Sequence, residues 1–110
     1  MHPRRGEVWW VSFDPSIGGE IQKTRPAIII SNDVANSALN RVIVIPITSQ
    51  TAKIYPGEAL ITLNGEQRKA MADQIMTASK RRIRSKLGTL SRTDVAEVES
   101  AVMFQLAIRR

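Results

Sequence analysis

Three short polar clusters interrupt apolar stretches of this sequence and could carry chemistry. They are Lys23-Thr24-Arg25-Pro26, Pro46-Ile47-Thr48-Ser49-Gln50 and Asp73-Gln74. Each cluster lies where a predicted strand begins, ends or bulges, which is where sites are commonly built. Together the clusters offer a guanidinium, hydroxyls, amides and a carboxylate, a set suited to binding an anion such as a phosphate group.

Arg25 is the strongest cation candidate because of its position in the chain. It precedes Pro26, which biases its backbone towards an extended conformation at the start of a buried strand. Its guanidinium is a forked donor that matches phosphate geometry. For a single arginine, a surface ion pair with a carboxylate is the simpler interpretation. Arg25 becomes informative only together with the other clusters.

The other two clusters each allow a functional and a structural interpretation. The hydroxyls of Thr48 and Ser49 could bind a phosphate or a developing oxyanion, or could satisfy nearby backbone groups. Asp73 lies in a segment that we predict to be a strand, where aspartate is disfavoured and a buried charge needs a partner. Asp73 could pair with an arginine while Gln74 reads a base edge. A structural salt bridge is equally compatible with the sequence.

A basic run and a tryptophan pair each also allow two interpretations. The segment 80–86 (KRRIRSK) is either a phosphate-binding track or a solvated connector before the last helix. Trp9 and Trp10 point to opposite faces of a strand. One is expected in the core, and the other could stack on a base or line a subunit interface.

Composition narrows the class of protein. The 110 residues carry a formal net charge of +6, which favours an anionic partner. Cysteine is absent and His2 is the single histidine, so thiolate sites, a histidine metal cluster and a two-histidine ribonuclease mechanism are excluded within one chain. We therefore predict no metal and no cofactor. No apolar run indicates a membrane span or a signal peptide, so we predict a cytoplasmic protein without membrane contact.

Hydrophobic patterning predicts strands followed by a helix. The predicted strands are Glu7–Phe13, Pro26–Ile30 with the proline at its first position, Arg41–Ile47 with an edge or bulge at Pro46, Glu58–Leu63 and Lys69–Thr77. We expect an exposed loop over Asp14–Thr24, a turn or a single helical turn at Asn32-Asp33, and turns at Tyr55–Gly57 and at Asn64-Gly65. Ser91 and Asp94 resemble a capping box before an amphipathic helix with Val95, Val98, Val102 and Leu106 on one face, ending near Ile108. This order indicates a single α+β domain over residues 1–110 with a curled antiparallel sheet.

The residues alone indicate a basic α+β domain that binds an anionic polymer. In their order and spacing, however, the segments RRGEVWWVSFDPSIGGEIQKTRPAIIISND, VIVIPITS, ADQIMTASKRRI and KLGTLS resemble the MazF/PemK family of toxin endoribonucleases. The resemblance covers nearly the whole chain. The combination of R-G-E-V-W, K-T-R-P and P-I-T-S is far more specific than any one of these motifs.

The resemblance implies a fold, a function and partners. The fold would be a small SH3-like antiparallel β-barrel with a C-terminal helix. The protein would be a homodimeric toxin that cleaves single-stranded RNA (mRNA, rRNA or tRNA) at a short sequence without metal, leaving 2′,3′-cyclic phosphate and 5′-hydroxyl ends. An acidic, largely disordered antitoxin would cover the RNA groove, and the toxin–antitoxin complex would bind DNA. The positive charge of the chain suits such a partner.

The resemblance also implies site residues. The catalytic residues would be Arg25 and Thr48. The RNA-binding residues would be Glu20, Gln22, Lys23, Thr24, Ser49, Gln50, Asp73 and Gln74. Some relatives carry an arginine where this chain has Met71, so a mechanism through that arginine is not expected here. Many relatives have an acid where this chain has Ser79.

The implied reaction needs a base for the 2′-hydroxyl and an acid for the leaving 5′-oxygen. Arg25 is a poor base because arginine stays protonated, so Glu20 and Asp73 are the nearby carboxylate candidates. Two other functions fit the same chain: a gyrase-directed toxin of the same fold, and a non-catalytic nucleic-acid-binding barrel.

Overall fold

The computed structural model describes residues 2–14, 18–20 and 23–109, and within them one antiparallel sheet dominates the fold. Its strands are β1 (Glu7–Ser12), β2 (Thr24–Ile29), β3 (Arg41–Thr48), β4 (Glu58–Leu63), β5 (Glu66–Met71), β6 (Met76–Ser79) and β7 (Ile83–Thr89). The helices are α1 (Asp33–Ala38) and α2 (Arg92–Gln105), with 3-10 turns at Ala72–Gln74 and Lys80–Arg82.

The sheet runs in the order β4-β5-β3-β2-β1-β7, and β6 pairs with β3 beside this path. Its two end strands approach each other, because Asn64 in the β4–β5 turn donates from Nδ2 to the carbonyl of Leu87 in β7 at 3.1 Å. Bulges in β1 opposite β7 fall between Val8 and Val11, and bulges increase the local twist of a strand. The sheet therefore curls towards closure, as the sequence predicted.

Alternation along the strands separates two hydrophobic clusters. The first cluster packs against α2 and includes Ile28, Ile45 and Val98. The second lies on the opposite face of the central strands and includes Trp9, Ala27 and Val44. The prediction that one tryptophan is in the core is confirmed, because Trp9 is 7% exposed.

Helix α2 is fixed to the sheet at its first turn. Ser91 accepts a hydrogen bond from the Asp94 amide at 3.1 Å, as the capping pattern predicted. The Asp94 carboxylate departs from the capping box, because it accepts from the Thr62 amide of β4 at 2.8 Å. The helix cap is thus also a helix-to-sheet contact. No helix within the described ranges has the length and apolar character needed to span a membrane.

The start of β1 is held by the half-buried carboxylate of Glu7. It accepts from the Arg4 amide at 2.8 Å and from Trp9 Nε1 at 3.0 Å, and it pairs with Lys86 of β7 at 3.0 Å. Burial by itself raises the pKa of Glu7, but these donors outweigh burial and hold the pKa below its usual range.

Several element boundaries differ from the prediction. β2 begins at Thr24, so Pro26 lies inside the strand, opposite Trp10. Pro46 lies in the central strand β3 rather than at an edge, at the gap where one neighbour of β3 changes from β6 to β5. Pro46 therefore marks a change of partner strand, a role that tolerates a missing backbone donor.

The second half of the chain holds the larger differences. The predicted strand Lys69–Thr77 is interrupted by the 3-10 turn Ala72–Gln74, and β7 was not predicted. α2 ends at Gln105 rather than near Ile108, and Leu106 is 51% exposed, so it does not continue the buried stripe of that helix.

Candidate active site

The pairing of β2 with β3 ends two residues short of the two predicted catalytic residues. Its register sets Ala27 opposite Pro46, Ile28 opposite Ile45 and Ile29 opposite Val44. The same register carried two residues further sets Arg25 opposite Thr48. Directly opposed residues of antiparallel strands share a face, with Cβ atoms about 4.5–5.5 Å apart. We therefore infer that the two side chains are neighbours on the face of the second cluster.

Each member of this pair is presented at a strand terminus. Arg25 is exposed and lies opposite Val11, whose side chain is fully buried. Thr48 is half-buried, and its Oγ1 accepts from the Gln50 amide at 3.2 Å. The structural interpretation of Thr48 expected a hydrogen bond of this kind to nearby backbone. A hydroxyl that accepts such a bond still has its own proton to donate, so the contact orients Thr48 without using up that donor.

The loop before Arg25 is closed at its base by three kinds of contact. The Phe13 amide donates to the Lys23 carbonyl at 2.8 Å, and the Lys23 amide donates to the Asp14 carboxylate at 2.9 Å. Arg82 donates from Nη1 to the carbonyls of Ser12 and Asp14 at 3.1 and 2.6 Å. Lys23 has a φ of 64°, so the chain makes its sharp turn two residues before Arg25. Gln22 lies outside the described residues.

Arg82 also changes the interpretation of the basic run 80–86. The run is not a connector, because it forms a 3-10 turn followed by the start of β7. Arg82 holds the loop base and Lys86 pairs with Glu7. Two of the five cations thus stabilise the fold, which a run of like charges in a sequence does not reveal.

The third polar cluster reaches the same loop. Gln74 donates from Nε2 to the Gly19 carbonyl at 3.3 Å. Asp73 is exposed in the 3-10 turn between β5 and β6, so the expectation of an aspartate inside a strand is wrong. Glu20, Ser49 and Gln50 are also exposed. The hydrogen bond of Gln74 therefore joins the turn that carries Asp73 to the loop that carries Glu20.

A buried ion pair next to Thr48 was missed at the sequence level. Lys69 lies opposite Thr48 in the β3–β5 pairing, and its Nζ is 3.1 Å from Oε1 of Glu58. Each of the two side chains is only 10% exposed. Lys69 also donates to the Lys53 carbonyl at 3.0 Å, and Glu58 accepts from the Tyr55 amide at 2.7 Å. The pair therefore holds the loop between Thr48 and β4. In a strand where polar and apolar residues alternate, the sequence does not distinguish a buried lysine from an exposed one.

No group of three or more His, Asp or Glu side chains that could hold a metal ion occurs within residues 2–14, 18–20 and 23–109. The described site instead contains one arginine, hydroxyls and amides. Lys69, which is paired with Glu58, lies opposite Thr48 at one side of the site. Such a set can bind a phosphate and stabilise additional negative charge on it.

Comparison with known proteins identifies the family of this chain. A family model described as PemK-like, MazF-like toxin of type II toxin-antitoxin system matches residues 4–106. The chain belongs to this toxin family. Endoribonuclease MazF9 of Mycobacterium tuberculosis is 38% identical over 112 residues, covering 94% of this chain and 95% of that protein. Endoribonuclease toxin MazF of Escherichia coli is 32% identical over 103 residues, covering 91% and 90%.

Solved structures share the fold. MazF from Deinococcus radiodurans superposes with a TM-score of 0.85 at 28% identity, covering 97% of this chain and 98% of that one. A mycobacterial endoribonuclease in complex with its cognate antitoxin superposes with a TM-score of 0.82 at 20% identity, covering 98% of each chain. The predicted family is confirmed, and so is the α+β fold with a curled antiparallel sheet and a C-terminal helix.

The buried pair in this PemK/MazF toxin generates a stability prediction. Lys69→Met leaves the Glu58 carboxylate buried without its cation, so we expect the free energy of unfolding to fall by about 3–5 kcal/mol. The double variant Lys69→Met with Glu58→Leu should lose less, because it removes both charges. Urea titration followed by tryptophan fluorescence measures each variant.

The matched control is the neighbouring pair of Arg68 with Glu66, in which the Glu66 side chain is 68% exposed. Arg68→Met should cost less than about 1 kcal/mol, because exposed pairs contribute little. A loss for Lys69→Met as small as that for Arg68→Met would contradict the assigned role of the buried pair.

Proposed function

We propose that this protein cuts single-stranded RNA as the toxin of a toxin–antitoxin pair, with Arg25 and Thr48 acting on the scissile phosphate. It is an endoribonuclease of the PemK/MazF family. The observation that supports the assignment is the β2–β3 register, whose continuation by two residues would set an arginine opposite a hydroxyl on one face of the sheet. The names of the relatives in Mycobacterium tuberculosis and Escherichia coli support the same activity.

The reaction is a transesterification. The 2′-oxygen of the ribose attacks phosphorus, the bond to the 5′-oxygen breaks, and the products are a 2′,3′-cyclic phosphate and a 5′-hydroxyl. Negative charge gathers on the phosphoryl oxygens, and the Arg25 guanidinium can meet two of them. Thr48 donates its hydroxyl proton to the phosphate. No metal takes part, which is consistent with a chain that has no cysteine and a single histidine.

The proton of the 2′-hydroxyl passes to a carboxylate, because Arg25 stays protonated and cannot accept it. Glu20 and Asp73 are the candidates, and each is next in sequence to one partner of the Gln74–Gly19 hydrogen bond. The leaving 5′-oxygen takes a proton from water, while the Arg25 guanidinium keeps its own protons and donates hydrogen bonds to the phosphoryl oxygens. Lys23, Thr24, Ser49, Gln50 and Gln74, together with Gln22 outside the described residues, bind the flanking nucleotides.

The natural partners follow from charge and surface. A net charge of +6 suits an acidic antitoxin that covers the RNA site, and a structural neighbour was solved with its cognate antitoxin. The RNA and the antitoxin meet this toxin in the cytoplasm. A second copy of the chain packs on the groove between β3 and α2, which is lined by Ile43, Ile75, Val102 and Met103. Trp9 is buried and offers no interface surface.

An RNA cleavage assay in excess EDTA tests the function. We expect a labelled single-stranded RNA to be cut at discrete sites at an unchanged rate, and the new ends should carry cyclic phosphate and 5′-hydroxyl groups. Activity that disappears in EDTA and returns with magnesium would overturn the metal-independent mechanism. RNA that is bound and left intact would favour the binding barrel, and inhibition of gyrase without cleavage would favour the gyrase-directed toxin.

Arg25→Ala should lower the cleavage rate by on the order of a hundredfold or more, because one preorganised transition-state donor is lost. RNA affinity should fall much less, since neighbouring cations share the ground-state contacts. Arg25→Lys should recover part of the rate, because it keeps the charge and loses the fork. Rate, affinity and melting temperature are measured in parallel.

Arg92→Ala is the control for Arg25→Ala, because it removes an exposed arginine at the start of α2 and should leave the rate unchanged. Near-normal cleavage by Arg25→Ala would refute the catalytic assignment. A rate loss matched by an equal loss of affinity would make Arg25 a binding residue instead.

The toxin should be a homodimer at micromolar concentration. Ile43 is 39% exposed on the groove between β3 and α2, and a second copy would bury it. Light scattering should give twice the chain mass for the wild type and a monomer for Ile43→Glu. Val34→Glu is the control, because Val34 is 81% exposed on α1 and lies outside this groove. A wild-type protein that is only monomeric would exclude the proposed assembly.

A further inference from the structure

Tyr55 is an exposed aromatic side chain in the loop that follows Thr48. The residue is 57% exposed, although phenolic rings usually find a packing partner or an interface. Neither the catalytic pair nor the predicted RNA-binding residues include it. The loop 49–57 around it lies wholly within the described residues and begins directly after the candidate catalytic hydroxyl.

The side chain of Lys69 contacts one face of the Tyr55 ring. Lys69 Nζ lies over the ring at 5.7 Å from its centroid, within the range of a cation–π contact. The Tyr55 amide donates to Glu58, and Glu58 pairs with the same lysine. Lys69 additionally binds the Lys53 carbonyl two residues earlier in the loop. One ring face is therefore occupied by a buried cation, and because Tyr55 is more than half exposed, we infer that the opposite face meets solvent.

This anchoring links the ring to the catalytic pair. Lys69 is the strand neighbour of Thr48, and Leu60 lies on its other side in the same row. Neighbouring strands are about 4.8 Å apart, so the lysine that supports the ring starts one strand spacing from Thr48. A polynucleotide whose phosphate is held at Thr48 would bring an adjacent base to this loop.

We propose that the outward face of Tyr55 is a nucleobase-stacking position for a nucleotide flanking the scissile phosphate. The proposal rests on the function proposed above and adds a binding position to it. Base–aromatic stacking is tolerant of base identity, because every base has a π-face. The cation behind the ring and the exposed Lys53 beside it favour a base joined to a phosphate chain over an apolar protein segment.

The test uses a single-stranded oligoribonucleotide that contains the mapped cut site, with a 2′-deoxyribose at the scissile position so that it binds without being cut. Fluorescence anisotropy gives its affinity for the wild type, Tyr55→Ala and Tyr55→Phe. Tyr55→Ala should bind roughly 5- to 150-fold more weakly, as for the loss of one stacked base. Tyr55→Phe keeps the ring and should bind like the wild type.

A second series replaces each nucleotide flanking the cut site with an abasic ribose. The wild type should lose affinity at one particular position, and Tyr55→Ala should be insensitive to removal of that same base. Ile54→Ala is the matched control, because Ile54 is the preceding residue, is 45% exposed and carries no ring. Its affinity and abasic profile should match those of the wild type. Circular dichroism and melting curves check that every variant is folded.

The outcomes separate this inference from the function on which it rests. A wild type that cuts the all-ribose oligonucleotide, beside a Tyr55→Ala variant of unchanged RNA affinity, overturns the stacking position alone. The stacking position is overturned in that case even if the variant binds an acidic antitoxin segment more weakly, because the ring would then serve a protein partner. A wild type that neither binds nor cuts overturns both proposals.

Discussion

The antiparallel register that sets Ala27 opposite Pro46 decides which side chains of this toxin can act together. Continued two residues past that pair, it would set Arg25 opposite Thr48, and the pairing of β3 with β5 sets Lys69 opposite Thr48 on the other side. The register is locked by the opposed and fully buried Ile28 and Ile45. A slip of one residue would turn the hydroxyl to the opposite face, so a hydrophobic contact maintains the polar site.

Part of the positive charge of the chain has a structural role. Lys69, Arg82 and Lys86 are engaged with carboxylates or carbonyl groups. Lys69 and Arg82 do so at the bases of the two loops that flank the proposed catalytic pair, and ordered loop bases hold functional groups in position. The net charge of +6 therefore favours an anionic partner without identifying which cations meet it.

The sequence predicted those parts of the fold that depend on local pattern. The strand Glu58–Leu63, the turn at Asn64-Gly65 and the capped start of α2 need only alternation, a left-handed turn and a serine cap. It did not predict β7, because a strand at the end of the sheet with exposed cations at Arg84 and Lys86 resembles a solvated connector. The ion pair of Lys69 with Glu58 was also missed, since burial of a charge depends on tertiary contacts that alternation does not encode.

A structure of the protein bound to an RNA with 2′-deoxyribose at the scissile position would test the central claim most directly. We predict that one phosphate, the scissile one, accepts hydrogen bonds from both the Arg25 guanidinium and the Thr48 hydroxyl. A scissile phosphate held away from this pair, with Arg25 or Thr48 contacting a different group, would contradict the proposed mechanism.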